Sequence, residues 1–234
     1  AVLLDSLEKV SYKLPEVFLQ KSILYLDKKE YKKSLKYLNQ AIKLNPVMTS
    51  YLQKGYLISK TEKPSKALQF YRSLDTNRVY EKEIVKARAI IFLELNEMDS
   101  LCSCYYDMVL LGDYYNSDGI LANCKDQLDT NQIKVLSILS LMNTYKENGM
   151  AFKDINDYNY LIENEPSVYD FYMWRGIALK SEKKYEEAIK DFSKCIELSP
   201  KKFEPYFFTS NAMLEKGDSL TYLATISLGL FHTK

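Results

Sequence analysis

The densest set of reactive groups in the sequence is KSEKKYEEAIKDFSKC, Lys180 to Cys195. It offers adjacent acids at Glu186 and Glu187 and a thiol at Cys195. Two carboxylates share acid–base work only when both face one reacting atom. Neighbours on a helix point about 100° apart, so Glu186 and Glu187 diverge. A thiol or hydroxyl nucleophile needs an activating base. The one histidine, His232, stands in a C-terminal tail expected to fray. That removes Ser–His and Cys–His pairs and most zinc sites. Neither G-x-x-x-x-G-K nor G-x-G-x-x-G occurs, so no phosphate cradle is encoded. Cys102, Cys104, Cys124 and Cys195 match no zinc-finger spacing. Cys102 and Cys104 fall on a helical stretch, about 200° apart around its axis. They are expected to be ordinary buried or half-buried thiols, like the other two. The residues thus point to no catalytic set, no metal and no cofactor.

If these charges do no chemistry, the elements that carry them need another explanation. The chain has 234 residues and a net charge of +1. Near-neutrality speaks against a general nucleic-acid binder, which needs a cationic face. With 7 Gly and 6 Pro there is little material for the turns of a sandwich or barrel, which favours helices on short links. The apolar run Ala89 to Leu95 is short and broken by Glu94, so no membrane insertion is expected. Plain thiols fit a reduced, cytoplasmic compartment slightly better than an oxidising one. The chain begins at Ala1 rather than Met, which leaves an extracytoplasmic address open.

Internal spacing supplies the explanation. Gly176, Ala188, Phe192, Cys195 and Pro200 are separated by 12, 4, 3 and 5 residues. Ser22, Ser34, Leu38, Ala41 and Pro46 repeat those gaps, and Gly55, Ala67, Tyr71 and Leu74 repeat the first three. The pattern predicts antiparallel helix pairs. A small residue on the first helix (helix A) meets a small residue on the second (helix B). An aromatic or Leu fills the space one turn later, and proline closes the unit. One pair cannot bury its apolar face alone, so stacking makes the array stable. The charges of Lys180 to Asp191 then read as the A–B turn and the solvent face of helix B. Most of the 20 Tyr and 10 Phe read as core or shelf residues, among them Tyr25, Tyr71, Tyr105, Tyr158 and Tyr185. That reading leaves few aromatics for stacking on nucleic-acid bases.

These residues resemble the tetratricopeptide repeat, a 34-residue helix–turn–helix unit. The match is most specific at Arg175 to Pro200 and good over 15–47 and 48–81. It is weaker over 82–115, 135–168 and 203–234, where Asp154 and Tyr222 replace the expected small residue. The resemblance implies an all-α, right-handed α-solenoid. Residues 1–14 are expected to form an N-terminal packing helix, 15–115 three repeats, 116–134 an irregular linker or short extra helix, and 135–234 three more repeats.

It also implies a non-enzymatic interaction scaffold, with a concave groove lined by helix A that takes a peptide or helix of a partner protein. The family's groove positions fall on Leu19, Ile23 and Asp27, then Leu52, Tyr56 and Lys60, then Lys86, Ile90 and Glu94. Later repeats contribute Leu139, Asn143 and Lys146, then Met173, Ile177 and Lys180, then Phe207, Asn211 and Glu215. The family's clamp for chaperone C-terminal tails needs lysines, asparagines and an arginine on three successive A helices. Leu19, Ile23, Gln53, Glu83 and Ala87 occupy those positions, so partners of that type are not expected. The last stretch, Leu220 to Phe231, is apolar almost throughout. Terminal repeats usually carry a polar outer face. Leu220, Leu223, Leu228, Leu230 and Phe231 therefore form a self-association surface in the alternative reading, an assembly or regulatory module that homodimerises.

Overall fold

The computed structural model describes residues 14–74, 80–152 and 154–232. Among them every regular element is a helix and no strand occurs. The chain divides into two compact units between Leu111 and Gly112. The first unit holds α1 (Pro15–Asp27), α2 (Tyr31–Leu44), α3 (Met48–Thr61), α4 (Pro64–Leu74), α5 (Glu81–Leu95) and α6 (Met98–Leu110). The second opens with a 3-10 turn, Tyr114–Asn116, followed by α7 (Ser117–Cys124) and a further 3-10 turn, Lys125–Gln127. It continues with α8 (Thr130–Glu147), α9 (Ile155–Asn164), α10 (Tyr169–Ser181), α11 (Tyr185–Leu198), α12 (Glu204–Lys216) and α13 (Ser219–His232). Within each unit consecutive helices pack into pairs and the pairs stack, giving an all-α solenoid. The packing helix expected over 1–14 lies outside the described residues save for Leu14, the exposed N-cap of α1.

Five A–B turns are closed by one device. Lys29, Asn96, Gly149, Lys183 and Gly217 all take positive φ, between 56° and 98°. In each turn that residue's N–H and the next one's bond back to the last turn of helix A. Lys183 N donates to Lys180 O at 2.9 Å and Lys184 N to Leu179 O at 3.0 Å. Lys29 and Glu30 do the same to Leu26 and Tyr25, each at 2.8 Å. These bonds satisfy carbonyls that a helix end would otherwise leave open.

The small residues sit at the points of closest helix approach. A Cβ on Gly176 would lie 2.6 Å from the Phe192 ring, and one on Gly55 would lie 2.3 Å from the Tyr71 ring. Tyr71 donates its hydroxyl to Leu52 O at 2.7 Å. In the first pair two serines replace the Gly and Ala. Ser22 and Ser34 are both fully buried, with their Oγ atoms 3.0 Å apart, and Ser34 Oγ also donates to Ser22 O at 2.8 Å. Leu38, Tyr71 and Phe192, expected to fill the space one turn on, are at most 1% exposed.

Two sequence expectations are corrected. Asp154 is not a packing residue of helix B but the exposed N-cap of α9. Its carboxylate accepts from Asn156 N at 2.9 Å and Asp157 N at 3.3 Å. Asp191 does not belong to the solvated face of α11, being only 4% exposed. The Arg175 guanidinium grips it bidentately, Nε to Oδ2 at 2.8 Å and Nη2 to Oδ1 at 2.6 Å. The remaining guanidinium arm donates to Asn159 Oδ1 on α9 at 2.7 Å. One arginine thus pins three helices, and the carboxylate holds its pKa above the usual value. The plain-thiol expectation holds at Cys104 and Cys195, which are free and buried, and is corrected at Cys102 and Cys124, which are disulfide-bonded.

Candidate partner-binding surfaces

In the first unit the A helices are α1, α3 and α5. Ile23, Tyr56 and Ile90 recur on them at intervals of 33 and 34 residues. Ile23 and Ile90 are 37% and 50% exposed, and Tyr56 is half-buried beneath the Lys60 amine, which lies 5.2 Å from its ring centre. One turn further along, Lys60 Nζ meets Glu94 Oε2 at 2.7 Å. That contact raises the lysine pKa above its ordinary value. Leu19 and Leu52 are half-buried and Lys86 is exposed. These positions, assigned from the resemblance, thus carry exposed or half-buried apolar side chains at like places on successive A helices, with the Lys60–Glu94 pair one turn further along.

In the second unit Ile177 on α10 and Phe207 on α12 are 39% and 41% exposed, with Asn211 half-buried. Lys180 Nζ reaches Glu215 Oε1 at 2.5 Å and lowers the carboxylate's pKa. Met173 departs from the expected lining. It is 7% exposed, in a core cluster with Leu179, Ala188, Phe192 and Cys195, so it offers nothing to a ligand.

Sequence reasoning also missed an aromatic feature beside α8. The 3-10 turn places Tyr114 against the A helices of this unit. Its ring packs edge-on to Trp174 at 5.0 Å, and its hydroxyl donates to Asp170 Oδ2 at 2.8 Å. Asn143 Nδ2, another assigned groove position, donates to Tyr114 O at 2.6 Å. Burial, reinforced by Asp170, drives the Tyr114 pKa upward and keeps the phenol protonated. Beside this wedge lies a cleft of about 300 Å³ between the turn, α8, the α8–α9 link and α10. Lys146 stands at the cleft, its amine 5.1 Å from the Tyr115 ring centre. The only sequence signal for this feature was the failure of 116–134 to fit the period.

On α13, Leu223, Leu228, Leu230 and Phe231 are 59%, 50%, 54% and 76% exposed. The Leu220 side chain lies outside the described residues. The opposite face holds Gly229 so close to Tyr206 that a Cβ would lie 2.7 Å from it. Among the described residues no group of three or more His, Cys, Asp or Glu side chains could hold a metal. No described helix is long and apolar enough to cross a membrane.

Comparison with known proteins places this geometry. The tetratricopeptide-repeat family model matches residues 15–47 and 169–202. No curated protein matches the chain. Among solved structures, the TPR2AB domain of yeast Sti1 in its complex with pHSP90 is 13% identical. The match covers 93% of this chain and 90% of that one, at a TM-score of 0.38. MamA MSR-1 is 14% identical over 79% of this chain and 95% of that one, at 0.37. MamA from Desulfovibrio magneticus RS-1 is 11% identical over 93% and 94%, at 0.32. Helix pairs closed by the same left-handed turns recur outside the two matched segments. The chain carries tetratricopeptide repeats at residues 15–47 and 169–202.

Proposed function

We propose that this protein is a non-enzymatic interaction scaffold whose A-helix faces hold an extended peptide or an amphipathic helix of a partner protein. The observation that carries this reading is the exposed apolar row. Ile23 and Ile90 in one unit, and Ile177 and Phe207 in the other, stay in water although their helices have core positions to fill. Apolar anchors beside fixed charges suit an amphipathic segment, whose apolar side chains supply affinity and whose polar ones set register. The ion pairs Lys60–Glu94 and Lys180–Glu215 supply such charges in each unit. The first unit's face offers Leu19, Ile23, Leu52, Tyr56, Lys60 and Lys86, and the second's Asn143, Lys146, Ile177, Lys180, Phe207 and Asn211.

Affinity capture from native extract tests this, with the wild type beside a Tyr56→Ala, Ile177→Ala, Asn211→Ala variant of matched helicity. A protein held by the wild type and lost by the variant supports recognition on these faces. Equal capture by both moves the interaction elsewhere.

A second reading, self-association through α13, is favoured by the exposure of Leu228, Leu230 and Phe231. Light scattering decides it. A concentration-dependent dimer abolished by Leu228→Lys supports that reading, and a monomer at high micromolar concentration removes it.

A further inference from the structure

The aromatic cleft of the second unit is not built by repeat positions alone. Two of its walls, Tyr114 and Tyr115, come from the 3-10 turn that breaks the period. A third comes from the α8–α9 link, where Phe152 stacks edge-on against Tyr145 at 5.4 Å and Tyr158 at 5.5 Å. The Tyr158 hydroxyl ties that link down by donating to Phe152 O at 3.0 Å. Trp174 closes the wall next to Tyr114. The cleft is therefore preformed by ring-to-ring packing and hydrogen bonds on three sides. Its volume, about 300 Å³, lies at the small end of ligand sites, suited to one large side chain rather than a cofactor.

Its charge is single-signed. Among the described residues lining the cleft, Lys146 is the one charged side chain. It is exposed, and among the described contacts its amine is engaged by a ring face rather than by an acid. A cationic guest would meet like charge here. An apolar ring with a neighbouring carboxylate satisfies both the walls and the lysine.

We propose that this cleft is an anchor pocket for one aromatic side chain of a partner peptide, flanked in the peptide by an acidic residue that pairs with Lys146. Rigid aromatic anchors in preformed pockets carry much of the energy of peptide recognition. The assignment rests on the scaffold reading above and narrows it to a peptide class.

The lone tryptophan, Trp174, lies in the cleft wall and reports occupancy without a label. The probes are Gly/Ser-flanked, doubly blocked peptides with the cores Glu-Phe-Glu, Glu-Ala-Glu and Lys-Phe-Lys, titrated against the full chain. Glu-Phe-Glu is expected to shift Trp174 emission saturably, and Glu-Ala-Glu to leave it unchanged. Lys-Phe-Lys should bind about tenfold more weakly. Lys146→Glu, an exposed change, should reverse the preference between the two Phe peptides. Tyr115→Ala, also exposed, should weaken both. The assignment is overturned by an unmoved emission at millimolar peptide, by equal binding of Glu-Ala-Glu, or by indifference to residue 146. Binding of N-acetylphenylalanine as tight as the peptide would make the site one for a free aromatic acid and overturn it equally. Peptide binding here with partner capture untouched by the A-face variant would sink the A-face reading and leave the pocket standing. Capture lost in that variant, with no peptide response at Trp174, would do the reverse.

Discussion

Lys60 Nζ lies 2.7 Å from Glu94 Oε2, on helices one repeat apart, 34 positions away along the chain. Lys180 and Glu215, 35 residues apart, form the same relationship in the second unit. Like positions of successive A helices are thus neighbours, which is what makes a row of side chains into a surface. The lysine side chain is 24% and the glutamate 40% exposed, so water screens the pair. A double-mutant cycle of Lys60→Met and Glu94→Gln should give a coupling of about 0.5 kcal/mol or less that shrinks in 1 M salt. A coupling several times larger would mean that the pair holds the helices together rather than decorating them.

Gly176→Ala tests the close approach of α10 and α11. The new methyl would stand 2.6 Å from the Phe192 ring, in a core too dense to yield freely. A loss of about 1–3 kcal/mol is expected by urea titration. Adding Phe192→Leu to that variant should restore part of it, because the smaller side chain vacates the contested space.

Arg175 and Asp191 make a sharper case. Asp191 is 4% exposed and both its oxygens are held by one guanidinium. Arg175→Met leaves a buried carboxylate without its partner and should cost about 3–5 kcal/mol. Arg175→Lys should recover little, since an ammonium lacks the planar fork that fits a carboxylate. Full rescue by lysine would show that charge, not geometry, is what the site requires.

The protein should weaken in alkali. Burial, with Asp191 nearby, pushes the Cys195 thiol from 9.0 to about 12, and burial pushes the Tyr158 phenol from 10.0 to about 12. Both folded groups stay protonated at a pH where the unfolded chain has released its protons. The unfolded state then binds fewer protons, so stability falls as pH rises from about 9 toward 12. Urea midpoints across that range should decline. Cys195→Ala should flatten the decline by up to about 1.4 kcal/mol per pH unit. An unchanged slope in that variant would place the alkaline loss in other groups.

Much of this was legible because spacing along a helix reports which residues meet. Ser22 with Ser34 follows from one interval and the need for close approach, whereas Gly55 and Gly176 first meet the rings of Tyr71 and Phe192, one turn beyond the expected Ala67 and Ala188. What spacing does not report is what covers an element from outside its own pair. Asp191 looked like one more charge on a charged helix, and only Arg175, together with Asn159 from the preceding pair, makes it a core residue. Met173 had the right phase for a ligand contact but falls within the packing of its own and neighbouring helices. Asp154 had the right interval, yet an aspartate gains more by capping the first turn of α9 than by entering it. The Tyr114 turn carried no periodic signal, so its place against Asp170 and Trp174 came only with the fold.

The serine pair of the first repeat constrains the order in which that repeat can change. Ser34 Oγ has one proton, and it goes to Ser22 O. The 3.0 Å contact between the hydroxyls must then be filled by the Ser22 proton. Ser22→Ala removes that donor and leaves Ser34 still bonded. Ser34→Ala, made first, strands the Ser22 hydroxyl in a fully buried place. The two mutational routes to an all-alanine contact end at the same sequence but not over the same terrain. Lineages drifting toward it are expected to lose the helix A hydroxyl before the helix B one.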